Sequence, residues 1–381
     1  MTMRAATFPH RRQQGFTLIE LMVGVVLGML TIVAIAQVLL VSEGRKRTIT
    51  SGADAQISGA LGLYAIQREV QMAGYGVSAN PAGLGCMVKY KVDANPIANF
   101  TLAPVVIENG SNGSNVITVL RSTKSSFSVP IKVTENHPAD GSYFVVQSAV
   151  GVVENDLLIA APPTPSATDW CSVVQVKQNG SNQLTTINIP HAEASDADWN
   201  QPASANLLPT VGYPAAGSYL LNVGALSLRR FSIDTATQAL QTSTLSRAGG
   251  MWSTAEDAQP QVVMLRAMYG KDTNGDDVVD TYDNNTPSTT GGWQQVLSIR
   301  VILVARSSQF EKDNEGGGNA TSSTLQWDLG TTGVTVAGAT SCYTNRQCLS
   351  LSLTHLGTDW NKYRYKVYDT VVPLRNVLWN S

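Results

Sequence analysis

The chain has 381 residues, of which 43% are hydrophobic and only 14% are charged, so it can form a core and is not a disordered chain. The 26 basic and 28 acidic side chains nearly cancel, which argues against a nucleic-acid-binding protein. A mean hydropathy of −0.02 excludes a protein with many membrane spans, and the 32 glycines favour a secreted, β-rich protein with many turns.

The N-terminal residues 1–15 form a basic segment without an acidic residue. An apolar segment follows directly and begins with the motif Gly15-Phe16-Thr17-Leu18-Ile19-Glu20. A conventional secretory signal instead places its apolar stretch before the cleavage site, so that this stretch is removed.

This motif resembles the prepilin signal of type IV pilins and of type II secretion pseudopilins. The resemblance implies that a membrane-embedded prepilin peptidase cuts between Gly15 and Phe16 and methylates the new amino group of Phe16. Residues 1–15 are therefore expected to be a cleaved leader.

A membrane-spanning helix half is predicted over residues 16–41. Leu21–Val41 is 21 residues long and carries no charge. At about 1.5 Å per residue it crosses a bilayer core of roughly 30 Å. The basic leader favours a cytoplasmic N-terminus, but Arg45–Arg47 favours the opposite, so charge alone does not fix the orientation. The alternative, an uncleaved signal anchor, does not explain an acid at the start of the span.

Three residues of this span are candidate assembly residues. Glu20 is costly in hydrocarbon and needs a partner there. The resemblance implies that Glu20 pairs with the methylated N-terminal amine of a neighbouring subunit. Gly24 and Gly28 form a small-xxx-small pair that lets a second helix approach closely, although chance spacing explains them equally well.

An amphipathic helix half is predicted over residues 42–74. Apolar residues continue at helical spacing through Ile57 and Leu61, with a neighbouring row at Ile66 and Val70. We expect this half to place an apolar stripe on a soluble domain and to end at Gly74-Tyr75-Gly76.

From residue 75 to 381 short apolar runs predict a β-rich globular head. The predicted strands are Val116–Leu120, Tyr143–Val146, Leu157–Ala160, Ser172–Val176, Tyr219–Val223, Leu226–Ile233, Val262–Met268 and Val296–Val304. Glu311–Ser323 is predicted to be a surface loop. The fold class is therefore α+β and type IV pilin-like, with a long N-terminal helix packed on an antiparallel sheet that carries large loop insertions.

The C-terminal part carries a second resemblance. The strand from Val262, the Asp-rich loop after it, the strand from Val296 and the tail Tyr363–Asn376 resemble the PilW group of minor pilins and, more distantly, the J-type minor pseudopilins. Residues 77–260 resemble nothing that we can place.

A calcium-binding loop is predicted at residues 272–283. Calcium prefers six to eight oxygen ligands, and oxygen-bearing groups recur here at the spacing of an EF-hand loop. The candidate ligands are Asp272, Asn274, Asp276, the Val278 carbonyl, Asp280 and Asp283. Asp277 replaces the usual glycine at the sixth position, and Asp283 is shorter than the usual glutamate. The alternative is a solvated turn between two strands.

The four cysteines are expected to be oxidised, because all four follow the predicted span and would face an oxidising compartment. Cys342 and Cys348 are expected to close a local loop, which leaves Cys86 with Cys171. Four cysteines allow three pairings, and the sequence does not choose among them.

No catalytic grouping is found: the four histidines lack metal-ligand spacing, and the sequence shows neither a Gly-x-Ser-x-Gly elbow nor a phosphate loop. We therefore do not expect this protein to be an enzyme. The resemblance implies a minor pilin that associates with other minor pilins, the major pilin and an inner-membrane assembly platform, and that primes pilus assembly at or near the tip. The head would be periplasmic before assembly and at the cell surface afterwards. The alternatives are a minor pseudopilin of type II secretion and a tip-located adhesin or ligand-binding module.

Overall fold

The computed structural model describes residues 15–93, 95–124, 129–191, 199–200, 206–247, 249–310, 321, 324–331 and 333–378. The predicted leader lies outside these residues except for Gly15, and the predicted loop at 311–323 does so except for Thr321. The chain divides into two compact units, residues 1–51 and residues 52–381.

One helix, α1 (Leu18–Gln71), contributes to both units. In the first unit its large apolar side chains are exposed, among them Leu18 at 78% and Val41 at 52%. The stretch Leu18–Gly44 has a mean hydropathy of 2.6 and none of its most apolar part is buried, so by length and composition it can span a membrane.

In the second unit α1 buries one face against the head. Ile66 and Val70 are fully buried, while Ile57 and Leu61 of the neighbouring row are about half exposed. The sequence pattern thus located the amphipathic half, but only one of its two apolar rows is covered. The helix ends at Gln71, and three residues later Gly74 adopts a positive φ of 76° and donates its N–H to the Leu120 carbonyl at 2.8 Å.

Two glycines let α1 approach the head closely. A Cβ on Gly59 would overlap the ring of Tyr368, and a Cβ on Gly62 would lie 3.0 Å from the Leu303 side chain and 3.2 Å from that of Leu240. The glycines that reduce helix propensity here are therefore packing positions.

The head contains, within the described residues, two short α-helices and twenty-one strands. The helices are α2 (Thr290–Gln294) and α3 (Arg375–Leu378), and 3-10 turns span Pro81–Gly83, Ser111–Gly113, Thr354–Leu356 and Trp360–Lys362. The strands are β1 (Met87–Tyr90), β2 (Ala98–Thr101), β3 (Val105–Asn109), β4 (Asn115–Arg121), β5 (Ile131–Lys132), β6 (Tyr143–Val145), β7 (Leu157–Ala161), β8 (Cys171–Gln175), β9 (Asn188–Pro190), β10 (Tyr219–Gly224), β11 (Ser227–Asp234), β12 (Ala239–Thr244), β13 (Glu256–Pro260), β14 (Val262–Lys271), β15 (Thr281–Asp283), β16 (Val296–Arg306), β17 (Leu325–Thr331), β18 (Thr335–Val336), β19 (Thr340–Tyr343), β20 (Arg346–Leu351) and β21 (Tyr365–Pro373).

These strands form three larger sheets. Their strand orders are β2-β1-β8-β7-β10-β5, β13-β12-β11-β4-β3 and β18-β15-β14-β16-β21. Smaller sheets join β17-β20-β19 and β6-β9. Pairing is antiparallel except between β1 and β8 and between β15 and β18. Each of the eight predicted strands coincides with one of these elements, and the antiparallel-rich head behind an apolar N-terminal helix confirms the α+β, pilin-like fold class.

The main core lies between α1 and the second and third sheets. It joins Ile66 and Val70 of the helix to Ile117 of β4, Phe231 of β11 and Val301 of β16. Strand β16 is almost continuously apolar because it is buried on both faces, with Ile302 and Val304 in a second core beneath β17 and β20. The third sheet is therefore the main surface against which α1 packs.

Candidate functional site

The N-terminal turn of α1 is closed by two side chains that bond each other's backbone. The Thr17 N–H donates to Glu20 Oε2 at 3.0 Å, and the Glu20 N–H donates to Thr17 Oγ1 at 3.3 Å. The Thr17 hydroxyl also donates to Glu20 Oε2 at 3.0 Å. This is a capping box, in which a threonine and a glutamate three residues later satisfy otherwise unpaired N–H groups. The prepilin-like motif points only to a role of Glu20 in assembly and does not reveal this second role.

The predicted cleavage point lies just before this turn. Gly15 and Phe16 precede the first helical residue, and the Phe16 side chain is 89% exposed. Apart from its chain neighbours, no described residue lies within 4 Å of a Cβ placed on Gly15. Cleavage and methylation at these residues stay predictions.

Gly24 and Gly28 lie on the exposed part of α1. Among the described residues, nothing approaches within 4 Å of a Cβ placed at either position. Their lack of a side chain is therefore not explained by packing within this chain. Close approach of a second helix stays the prediction for this pair.

Glu69 fixes the other end of α1 to the head. It is 8% exposed and accepts from Arg229 at 2.9 Å and from Arg121 at 3.4 Å. These arginines belong to β11 and β4, so one carboxylate joins the helix to two strands of the second sheet. The position of Glu69 on the buried row between Ile66 and Ala73 is the signal in the sequence for such a contact.

The predicted calcium loop is held by its own hydrogen bonds. Asp272 is 7% exposed and accepts the N–H groups of Gly275, Asp277 and Asn274 at 2.6, 2.8 and 3.1 Å. The bond from Gly275 is the first cause of its lowered pKa. Asp280 accepts from the Thr273 N–H at 2.8 Å. Asp277 takes the positive φ, 62°, that the usual glycine provides.

Two observations oppose a preformed metal site. Asp283, the predicted twelfth-position ligand, is in an ion pair with Lys271 at 2.7 Å, within the paired strands β14 and β15. Over the described ranges, no three acidic, histidine or cysteine side chains are grouped as metal ligands. A calcium ion would have to draw Asp283 away from Lys271. Calcium binding at Asp272, Asn274, Asp276, Val278 and Asp280 stays a prediction.

The cysteines form two disulfides, and they are the pairs favoured in the sequence analysis. Cys86 is bonded to Cys171, and Cys342 to Cys348. The first joins the segment after α1 to the start of β8, beside the parallel pairing of β1 with β8. The second closes the hairpin between β19 and β20. Both disulfides therefore cross-link the head and have a structural role.

Two histidines from distant parts of the sequence lie side by side in the head. His137 Nε2 is 2.7 Å from His191 Nε2, and the His137 ring stacks on Phe144 with ring centroids 3.8 Å apart. Burial lowers the pKa of both imidazoles, that of His137 to about 4. The pair is thus neutral near pH 7 and packs against Phe144, whose ring also contacts that of Tyr213.

The fold and the N-terminal turn define a class of protein: a pilin-like chain with an exposed apolar helix half, a capping glutamate at its start and an antiparallel head. Residues 10–36 match the prokaryotic N-terminal methylation motif. Residues 230–376 match the family described as Type IV Pilus-assembly protein W. These two matches confirm the resemblance of the chain to type IV pilus-related pilins of the PilW type. No curated protein and no solved structure matches the chain.

The PilW match begins in β11 and ends in α3, so it includes the third sheet and the predicted calcium loop. Residues 37–229 lie outside both matches. This middle part supplies the whole of the first sheet together with β3 and β4.

Proposed function

We propose that this protein is a minor pilin that assembles with other minor pilins in the inner membrane and primes assembly of the type IV pilus, at or near its tip. The observation that carries the proposal is the exposed apolar surface of Leu18–Gly44, which has Glu20 in its first turn. Such a surface needs lipid or other helices around it. This helix would first anchor the protein in the inner membrane by a single span, with the head in the periplasm. It would later pack among the helices of other pilins.

Glu20 supports a specific partner within such a bundle. Its Oε2 is used by Thr17, and Oε1 has no hydrogen bond to a described residue. We propose that Oε1 accepts from the methylated amine of Phe16 in an adjacent major or minor pilin. An unpaired carboxylate in hydrocarbon is costly, so the pairing favours assembly in register.

The size of the head supports a position at or near the tip. The second compact unit comprises residues 52–381 and contains three larger sheets. Repeated at every subunit position, heads of this size would crowd a fibre whose helices pack side by side. A low-copy subunit at the end of the fibre avoids this crowding.

The direct test is deletion followed by complementation, with surface pili counted by electron microscopy. Deletion should abolish or strongly reduce piliation, and the wild-type chain should restore it. A Gly15→Glu variant should remain uncleaved on a gel and fail to restore pili. It controls for expression, because the prepilin is still made and inserted.

The outcomes separate this proposal from its alternatives. Normal piliation of the deletion strain would contradict priming. Loss of protein secretion with intact pili would point to a pseudopilin of type II secretion. Normal pili that no longer adhere would point to a tip adhesin. Twitching motility is expected to follow the pilus count.

A further inference from the structure

A cavity of about 150 Å³ lies in the head on the side of the second sheet that faces away from the main core. The alternation of β-strands separates the two sides. Ile107, Ile117 and Phe231 point into the core beneath α1, whereas Thr118 and Arg230 line the cavity. Arg230 belongs to the PilW-matched region and Thr118 to the unmatched middle part.

Thr118 and Arg230 form the polar floor of this cavity. They are directly opposite each other in the antiparallel pair of β4 and β11, so their side chains share one face. Thr118 is only 8% exposed, and its Oγ1 has no hydrogen-bond partner. The Nε of Arg230 is also buried without a partner. Buried polar groups are normally satisfied, so two unsatisfied groups side by side indicate a missing ligand.

The guanidinium of Arg230 is held in place but not neutralised. It stacks on Trp252, with its central carbon 4.0 Å from the ring centroid. Within the described part of the chain no carboxylate forms an ion pair with it. By contrast, the adjacent Arg229 is paired with Glu69. A positioned and unpaired guanidinium is suited to bidentate recognition of a carboxylate.

The walls of the cavity are aromatic. Tyr90 of β1 and Phe100 of β2 line it together with Trp252, and the rings of Tyr90 and Phe100 have centroids 5.9 Å apart. Aromatic walls with a few placed polar groups are typical of small-molecule sites. A cavity near 150 Å³ has room for about one six-membered ring.

We propose that this cavity binds a single-ring organic carboxylate, with the carboxylate on Arg230 and Thr118 and the ring against the aromatic walls. The ring can be that of a uronic acid in an acidic saccharide or that of an aromatic acid, since the carboxylate recognition is the same. Glu108 lies on the same face of the sheet, at the rim of the cavity, and its exposed carboxylate would repel a bound anion. Replacing it should therefore tighten binding.

The test uses the full chain in lipid nanodiscs and ligand-detected NMR titrations with glucuronate, benzoate and glucose. At least one carboxylate should bind with a dissociation constant of about a millimolar, as expected for so small a ligand. Glucose should bind at least about tenfold more weakly, because it lacks the charge-assisted bond. Tighter binding of glucuronate would identify a saccharide site, and tighter binding of benzoate an aromatic-acid site.

Three variants and one control complete the test. Arg230→Gln should weaken carboxylate binding about tenfold or more, and Glu108→Gln should strengthen it. Thr118→Val should weaken binding without lowering the melting temperature, because it removes a buried unsatisfied hydroxyl. Arg346→Gln, an exposed arginine paired with Asp328, should leave binding unchanged.

The proposal is overturned if neither carboxylate binds at about 20 mM. It is also overturned if glucose binds equally well, or if Thr118→Val and Glu108→Gln bind as the wild type does. None of these results would affect the pilin assignment, since the cavity contains no residue of α1.

Discussion

Thr17 and Glu20 cap each other at the first turn of the apolar helix, with the Thr17 N–H 3.0 Å from Glu20 Oε2 and the Glu20 N–H 3.3 Å from Thr17 Oγ1. The glutamate that the prepilin resemblance assigns to subunit pairing is therefore also part of the local helix start. Substitution by alanine would remove both roles at once. Glutamine retains the capping bond but not the charge, which makes the two roles separable.

The close approach at Gly59 predicts opposite effects for two Gly→Ala changes in one helix. Gly59→Ala should destabilise the head by about 1–3 kcal/mol, because the new methyl overlaps Tyr368. Gly52→Ala should stabilise by about 0.5–1 kcal/mol, since its methyl meets no described residue and alanine favours helix. Thermal unfolding of the full chain in detergent measures both. An equal gain in melting temperature for the two variants would show that Gly59 is not a packing position.

The carboxylate of Glu69 predicts a loss of stability when it is removed. Glu69→Ala should cost about 1–3 kcal/mol, because it leaves Arg121 and Arg229 without their common partner. The range allows for screening, since both arginines are about one-third exposed. Asp54→Asn, an exposed acid on the same helix, should change the unfolding free energy little. Equal effects of the two substitutions in denaturant titrations would contradict the anchor role.

The buried pair His137–His191 predicts that the head loses stability as the pH falls. Burial lowers the pKa of both side chains below the ordinary value of about 6.5, so the unfolded state binds more protons in acid. The contribution of this neutral pair to the free energy of unfolding is fully present above pH 6.5. The free energy of unfolding should therefore fall by about 2–4 kcal/mol on going to pH 4.5. Denaturant titrations at pH 7.5, 5.5 and 4.5 measure this loss.

A double His137→Asn, His191→Gln variant should show a flatter pH profile than the wild type. Burial also lowers the pKa of the partly exposed His355, so His355→Gln should flatten the profile as well, but by less than the double variant because this side chain is less buried. A wild-type profile that is flat between pH 7.5 and 4.5 would contradict a buried neutral pair.

The loop at 272–283 predicts weak calcium binding, at the millimolar end of the extracellular range. Calorimetric titration of the full chain should show uptake that Asp276→Asn weakens, while Asp277→Asn, at the sixth position of the loop, does not. Asparagine at position 276 retains an acceptor for the Val278 N–H, so the loop shape is preserved. Absence of uptake at several millimolar calcium would show that Lys271 and the internal hydrogen bonds already satisfy this loop.

The elements that the sequence predicted correctly are those with strong local signals. The apolar run fixes α1, and buried strands such as β7 and β16 appear as short apolar runs because both their faces are covered. Strands such as β13, Glu256–Pro260, were missed because they are polar, partly exposed and held mainly by pairing with a neighbour.

The same distinction between local and non-local signals holds for the site residues. Glu20 is marked by its motif, whereas Glu69 and the pair Thr118–Arg230 depend on contacts between distant segments. Arg230 and Thr118 are 112 positions apart and meet only through the register of β4 with β11. A local sequence pattern does not predict this pairing register, because each strand also places apolar residues on its face towards the core.

We propose that the charge of Glu20 drives incorporation into the pilus complex. The most direct measurement compares Glu20→Gln with wild type by quantitative co-purification with the other pilins from membranes, alongside the surface pilus count. Thr17→Ser, which keeps the capping hydroxyl, is the matched control. We predict that Glu20→Gln inserts and is cleaved normally but is recovered with its partners at least about tenfold less. Co-purification and piliation equal to wild type would show that capping alone accounts for Glu20 and would contradict the charge-pairing account.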